Sequence, residues 1–274
     1  MRHFVVLNFT GTGSGIRNEG ILTINDSLIA QNAGFLGPAA SIHHVNGILT
    51  ITDSTLRDHQ FETSVVISLL GGTGTIANTT VSGNLSRGVS VGAAASLTLF
   101  NSTISGNTSG IRSAGLVVVS HSTITGNTGA GVDGNGGDVF LNHTVVAGNS
   151  VNCGTGLGLL QSLGHNLDDD GSCPFTFVGD LSNVADAGLG PLADHGGPTE
   201  THALLPGSPA IDAGRAFDQR GVRLKDGNGD MRIVPDIGAH EQPLPGSGCG
   251  LGFELAFLLP PLMWLRGRHR LRVH

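Results

Sequence analysis

The chain is poor in charged and aromatic residues. It has 274 residues, no tyrosine, one tryptophan and only 13% charged residues. Low charge argues against intrinsic disorder, because disordered chains typically combine high charge with few aliphatic side chains. Four of the 14 basic residues are arginines at positions 266–272, which leaves 10 basic against 20 acidic residues in positions 1–250. A body this acidic does not favour contact with a phosphate backbone, so we expect no nucleic-acid partner.

Glycine is abundant instead, at 44 of 274 residues, and Gly, Asn, Ser and Thr are interleaved with Ile, Leu and Val. Such a mixture indicates many short strands joined by tight turns. A chain of this length can also bury a substantial core. The composition therefore predicts an all-β protein, with a short helix expected only in the apolar tail at 251–265.

One segment of about ten residues recurs six times. Its copies are LTINDSLIAQN (22–32), LTITDSTLRDH (49–59), TIANTTVSGN (75–84), LTLFNSTISGN (97–107), VVVSHSTITGN (117–127) and VFLNHTVVAGN (139–149). Their central polar residues are spaced by 27, 25, 23, 20 and 22 positions. A drifting period in the twenties is typical of a solenoid whose insertions fall in loops. The Leu-x-x-Leu-x-Leu signature of leucine-rich repeats is missing.

The phase of the apolar residues within each copy predicts a bend. Leu97 and Leu99 alternate with polar neighbours, so both point to one side of a strand. Ile104 follows five positions after Leu99, so the chain must bend at Asn101 for Ile104 to reach the same core. Asp, Asn and His are the non-glycine residues most enriched at positive φ, which suits such a bend. The bend column comprises Asp26, Asp53, Asn78, Asn101, His121 and His143.

Two short strands, a bend and a variable loop make one coil of a parallel β-helix. The segment GSGIRNEGILTINDSLIAQN (13–32) resembles the right-handed parallel β-helix repeats of bacterial surface proteins. This resemblance implies a right-handed parallel β-helix of about six to seven coils within residues 1–174. The coil repeats end after Cys153. The fold hosts lyases, hydrolases, adhesins and inert stalks, so it implies no particular activity.

A second resemblance covers residues 175–243. It rests on GPL (190–192), GGPT (196–199), GSPAIDAG (207–214), DQRG (218–221) and DIGAHE (236–241). These motifs resemble the C-terminal block of the choice-of-anchor Q family, whose members are surface-bound β-helix proteins with interchangeable C-terminal anchors. The resemblance implies an irregular segment after the coils and presentation outside the cell, but no reaction.

The remaining residues, 244–274, form a linker and a tail. The tail joins Cys249-Gly250, an apolar run at 251–265 and an arginine cluster at 266–272. It resembles bacterial C-terminal sorting signals, which implies cleavage or attachment at Cys249 and Gly250, with a sorting protease as partner. The 15-residue run is about 22 Å long as a helix, against about 30 Å of bilayer core. It predicts a transient or permanent membrane contact, and a simple membrane-dipping helix is the alternative.

These features predict an extracellular protein, anchored through its C-terminus at the surface of a Gram-negative-type bacterium. The start of the chain does not match that location. Residues 4–7 are apolar, but the run is too short for a signal peptide. We interpret the chain as N-terminally truncated, beginning inside the solenoid.

Two of the three cysteines, Cys153 and Cys173, flank a glycine-rich stretch. A disulfide between them would close a 20-residue loop in an oxidising compartment and stabilise the fold by about 3 kcal/mol. Two free thiols are the alternative.

The sequence contains no assembled catalytic constellation, and we expect no cofactor other than calcium. Asp226, Asn228 and Asp230 alternate with glycines, as in the opening of a calcium loop. Met231 replaces the glycine at the sixth position and Ile237 the glutamate at the twelfth, so a plain polar turn is the alternative.

Two hypotheses about function follow. The first is a non-enzymatic, surface-anchored β-helix exoprotein, structural or adhesin-like, whose partner is a surface glycan or the surface of a host or neighbouring cell. The second is a carbohydrate-active β-helix, either a polysaccharide lyase, a glycoside hydrolase or a glycan-binding module, with its site on an exposed sheet face. An arginine or lysine close to two or more carboxylates on one exposed sheet would favour the second.

Overall fold

The computed structural model describes residues 4–7, 15–32, 40–60, 65–156, 158–214 and 236–240. It is all-β, and its parallel strands stack as a solenoid of about six turns, as the repeats predict. In chain order the strands are β1 (Phe4–Leu7), β2 (Ile16–Asn18), β3 (Ile21–Asn25), β4 (Ser27–Ala30), β5 (Ala40–His44), β6 (Ile48–Thr52), β7 (Thr55–Arg57), β8 (Val65–Ala77), β9 (Thr80–Ser82), β10 (Arg87–Phe100), β11 (Thr103–Ser105), β12 (Ser109–Ser113), β13 (Leu116–Ser120), β14 (Thr123–Thr125), β15 (Ala130–Asp133), β16 (Asp138–Asn142), β17 (Val145–Ala147), β18 (Val151–Gly154), β19 (Leu160–Ser162), β20 (Leu167–Asp168), β21 (Leu189–Ala193) and β22 (Thr201–Leu204).

Each coil contributes strands to two sheets. The short strands form an eight-stranded parallel sheet in the order β1-β4-β7-β9-β11-β14-β17-β20. The other strands of the solenoid form a twelve-stranded sheet with two columns, β2-β5-β8-β10-β12-β15-β18 and β3-β6-β8-β10-β13-β16-β19. The two columns are joined because β8 and β10, with 13 and 14 residues, run continuously through both.

The bend column lies where the longer strand turns into the short one. All six residues have φ between 46° and 50°, in the left-handed region that Asp, Asn and His tolerate best. The next residue is a Ser or Thr whose hydroxyl forms hydrogen bonds that stabilise the turn. Ser102 Oγ donates to the Phe100 carbonyl (2.8 Å) and accepts the Thr79 amide of the preceding coil (3.2 Å). The polar residues of the repeat therefore connect adjacent coils.

A second turn, after the short strand, contains a buried ladder of asparagine side chains. Asn84 Nδ2 donates to Asn107 Oδ1 (2.7 Å), Asn107 Nδ2 to Asn127 Oδ1 (3.1 Å) and Asn127 Nδ2 to Asn149 Oδ1 (2.8 Å). Because every amide is both donor and acceptor, the ladder satisfies its own buried polar atoms and fixes the coil spacing.

The coils continue beyond Cys153, so the expectation that they end there is wrong. β19 pairs with β16 and β20 with β17, both parallel. His165 occupies the next place in the bend column, with φ of 55°. The repeat is hard to see in the sequence because Asn166 replaces the Ser or Thr of the other copies, although its side chain still accepts the Thr144 amide (3.0 Å).

The interior is filled by stacked aliphatic side chains such as Leu97, Leu99 and Ile104, all fully buried. The predicted disulfide between Cys153 and Cys173 is confirmed, and both cysteines belong to this core. After it, the chain forms turns and a two-stranded antiparallel sheet of β21 and β22.

Candidate functional site

The eight-stranded sheet is covered on the outer side of its strands β9, β11, β14 and β17 by the part of the chain after the coils, which we call the C-terminal block (described residues 175–214 and 236–240). Thr80 Oγ1 donates to the Glu200 carbonyl (2.7 Å), and the Ala239 amide donates to Thr123 Oγ1 (3.1 Å). The Gly238 amide donates to the His143 carbonyl (3.1 Å). These contacts explain why every residue of β9, β11, β14 and β17 is buried. We call this eight-stranded sheet the covered sheet.

His202 joins the block to the covered sheet through both ring nitrogens. Nδ1 lies 2.7 Å from the Gly190 carbonyl and Nε2 lies 2.7 Å from Ser105 Oγ. A carbonyl only accepts, so Nδ1 carries the proton and Nε2 of the neutral ring accepts from the hydroxyl. Burial lowers the pKa of His202, and this effect exceeds the opposing hydrogen bond to Gly190.

An apolar layer supports the same contact. It is a second hydrophobic core, separate from the solenoid interior, and its buried members are Val145, Ala147, Leu167, Ala187, Leu204, Ala210 and Ile237. Gly238 fits closely against it, because a Cβ there would lie 3.1 Å from Val145 Cγ2 and 2.9 Å from Thr123 Oγ1, and its φ is 107°. The block is therefore an integral part of the folded body.

The column of β3, β6, β8, β10, β13 and β16 carries a row of hydroxyls on its outer side. Thr23, Thr50, Thr75 and Thr98 are in register on adjacent strands and are followed by Val118 and Phe140. We call this the threonine face. This row contains no titratable group, so it offers neither an acid nor a base.

The other column of the twelve-stranded sheet has a different outer side, which we call the arginine face. Its central row, in register on adjacent strands, is Arg17, His43, Ser68, Ser90, Arg112 and Asp133. Arg87 lies beside this row on β10, in register with Ser109. The described residues include four arginines and no lysine, and three of those arginines lie on this face.

Polar contacts and charge hold the arginine face together. Arg112 Nε lies 3.5 Å from Asp133 Oδ2, and its Nη2 donates to Asn135 Oδ1 (2.6 Å). Arg87 Nε donates to Ser109 Oγ (3.3 Å). Burial lowers the pKa of Arg87, nearby Arg112 lowers it further, and Asp133 opposes both.

A pocket of about 260 Å³ opens where the C-terminal block meets the first coils. Its charged lining residues are Asp26, Asp53, Arg57 and Glu200. We call it the acidic pocket. Asp53 Oδ1 accepts from Asn78 Nδ2 (3.0 Å) and Arg57 Nε lies 3.7 Å from Asp58, so part of this charge is already paired within the fold.

Comparison of the chain with protein-family models, curated proteins and solved structures finds no match. The residues on the outer sides of its sheets are therefore the basis for any inference about function.

The structure describes the predicted bend residues, but not the predicted calcium and anchor residues. Asp26 and Asp53 of the bend column line the acidic pocket, and the histidines continue the column as a stack. The His121 and His143 rings lie 4.7 Å apart and the His143 and His165 rings 4.8 Å apart, nearly parallel in both pairs. Burial lowers the pKa of His121. The proposed calcium residues Asp226, Asn228 and Asp230 and the proposed anchor residues Cys249 and Gly250 lie outside the described residues.

Two further features are absent from the part of the chain that the structure describes. Across the described parts of the chain, His, Cys, Asp and Glu side chains form no group of three that could hold a metal ion. In the same residues, no helix is long and apolar enough to cross a membrane, and the apolar run at 251–265 lies outside them.

The arginine face was missed because its members do not share one position in the repeat. Arg17 and Arg112 both lie nine residues before their bend residue, whereas Arg87 lies fourteen before its own. Counting backwards from the bend column would have placed Arg17 and Arg112 in one row. Arg87 lies near them because it is in register with Ser109 of β12, three residues before Arg112.

Proposed function

We propose that the protein is a non-enzymatic β-helix exoprotein, structural or adhesin-like, attached to the cell surface through its C-terminus. The observation that supports this proposal is the distribution of polar groups over the faces of the solenoid. One sheet is occupied by the chain's own C-terminal block. The threonine face presents hydroxyls, and the central row of the arginine face contains a single carboxylate, Asp133.

A location outside the cell is supported by the disulfide between Cys153 and Cys173. Disulfides persist in oxidising compartments and are rare in the cytosol. Mass spectrometry of the mature C-terminus tests the anchor. The proposal expects the chain to end, or to carry a modification, at Cys249 or Gly250. An intact arginine cluster at 266–272 on secreted protein would contradict processing there.

The second candidate function is carbohydrate-active, and the acidic pocket is the observation that favours it. It places Arg57 with the carboxylates of Asp26, Asp53 and Glu200 in one concave site. Asp26→Asn and Asp53→Asn are suitable test variants, because Asn occupies the same bend at Asn78 and Asn101 with the same positive φ. Cleavage of a uronate-rich glycan by the native chain, lost in these variants, would assign a reaction to the pocket and overturn the non-enzymatic proposal.

A further inference from the structure

The arginine face concentrates positive charge in an acidic body. The described residues contain four arginines and fifteen Asp or Glu residues, and the whole chain has a net charge of −7. Three of the four arginines are on this face. Glu19, ion-paired with Arg17, and Asp133 are the carboxylates that contact them. The remaining arginine, Arg57, is on the covered sheet.

Arg87 and Arg112 form the part of the face with unbalanced charge. They lie on neighbouring strands, β10 and β12, but three residues apart along them, because Arg87 is in register with Ser109 and Arg112 with Ser90. Their Cα atoms are therefore about 11 Å apart, a gap that two long arginine side chains can enter from opposite ends. One carboxylate, Asp133, faces two guanidinium groups, which leaves one net positive charge. Arg87 is half-buried and bonded to the neutral Ser109 hydroxyl. Burial and the nearby Arg112 both disfavour the charged form of Arg87, and they lower its pKa.

The rest of the row suits a polyhydroxylated ligand. Half-buried Ser90 places a hydroxyl between Arg112 and His43, and Ser68 beside it is buried. Burial and nearby Arg17 lower the pKa of His43, so its ring is neutral at pH 7 and can both donate and accept hydrogen bonds. From Arg17 to Arg112 the row crosses four strand spacings, about 19 Å. A linear chain of several sugars along the solenoid axis matches this length.

We propose that the arginine face binds an acidic polysaccharide, with a sugar carboxylate or sulfate held between Arg87 and Arg112 and a neighbouring sugar hydroxyl on Ser90. This inference rests on the proposed adhesin-like function, for which it supplies the ligand class. Guanidinium groups suit such anions because they bond to both oxygens at once. A duplex nucleic acid is disfavoured because it carries a charge about every 1.7 Å along its axis, so the net negative protein repels it more strongly than a polysaccharide with one anion per sugar.

Binding of the full chain to immobilised polygalacturonate, dextran sulfate and neutral dextran tests the proposal. We expect binding to one or both anionic polymers, weakening with salt, and none to neutral dextran. The polymer that binds more tightly distinguishes a carboxylate from a sulfate ligand. Arg87→Gln and Arg112→Gln should each weaken binding by about tenfold, the scale of one charge-assisted hydrogen bond. Asp133→Asn should strengthen it by about threefold, because a competing exposed ion pair is removed.

Thr98→Ala is the control, since it changes an outward side chain on the threonine face of the same sheet and should leave binding unchanged. Unchanged melting temperatures would establish that each variant is folded. Equal losses in Thr98→Ala and Arg112→Gln, binding to neutral dextran, or tighter binding to a DNA duplex would overturn the proposal. Cleavage of the polymer would instead overturn the non-enzymatic function, while the binding losses of the arginine variants would still locate the ligand.

Discussion

At the scale of single residues, each position of the repeat meets a different conformational or hydrogen-bonding requirement. The bend position needs a residue that tolerates positive φ, the next needs a hydroxyl, and the ladder position needs a side chain that both donates and accepts. Departures from the pattern therefore identify particular coils. The second coil has His59 where the later coils have Asn84 and Asn107.

His59 should make the protein sensitive to acid. Its Nδ1 accepts the Asn32 amide (3.1 Å), and burial lowers its pKa to about 4. The folded pKa lies below the unfolded value of 6.5, so the native state binds the proton more weakly. Stability is then full above pH 6.5 and decreases by about 3 kcal/mol as the pH falls from 6.5 to 4.

The control for this prediction is His59→Asn, which restores the ladder residue of the other coils. Urea unfolding at several pH values would be compared between the variant and the native chain, so that contributions from carboxylates and other histidines cancel. We expect the free-energy difference to favour the variant increasingly towards pH 4. Parallel pH profiles for the two proteins would show that His59 is not the group responsible.

Asn107 should be among the most costly polar residues to remove. Its Oδ1 accepts from Asn84, and its Nδ2 donates to Asn127 and to the Val81 carbonyl. Asn107→Ala leaves several buried groups unpaired and should lower the free energy of unfolding by about 3 kcal/mol. Thr98→Ala, on the exposed threonine face, should change it by less than about 0.5 kcal/mol. Denaturant titration of both variants measures the difference, and similar costs would contradict the ladder's role.

At the scale of elements, the C-terminal block completes the short strands. Strands of three residues bury one side chain inward and would expose two outward, yet in β11 all three are buried. The inward Ile104 joins the solenoid core, and the outward Ser105 bonds to His202 of the block. Gly238 and Ala239 of the segment 236–240 likewise bond to the His143 carbonyl and to Thr123 of the covered sheet, which gives this segment a structural role.

Gly238 should be essential for this contact. Gly238→Ala introduces a Cβ at 2.9 Å from Thr123 Oγ1 in addition to the strain of its φ. Gly207→Ala is the matched control, because Gly207 also has positive φ but nothing lies within 4 Å of its Cβ position. We expect Gly238→Ala to cost about 2 kcal/mol more than Gly207→Ala. Limited proteolysis should cut the block earlier in Gly238→Ala, and equal cleavage rates would contradict close packing there.

At the scale of the whole molecule, local patterns were sufficient to predict the solenoid. Bend residues, alternating leucines and a drifting period all act within one coil, so the sequence displays them directly. Contacts between distant segments were not predictable in the same way. Thr80 donates a hydrogen bond to the carbonyl of Glu200, 120 positions later. The sequence does not distinguish an outward threonine that another segment covers from one that is exposed to solvent. The arginine face depends on the variable loop lengths that shift register between coils.

The central claim is that this solenoid binds a surface glycan without cutting it. The most direct measurement incubates the full chain with polygalacturonate, with and without calcium, and follows both the bound fraction and the polymer length. The account predicts salt-sensitive binding and an unchanged polymer length in both conditions. Shortening of the polymer in either condition, at a rate that increases with protein concentration, would contradict it.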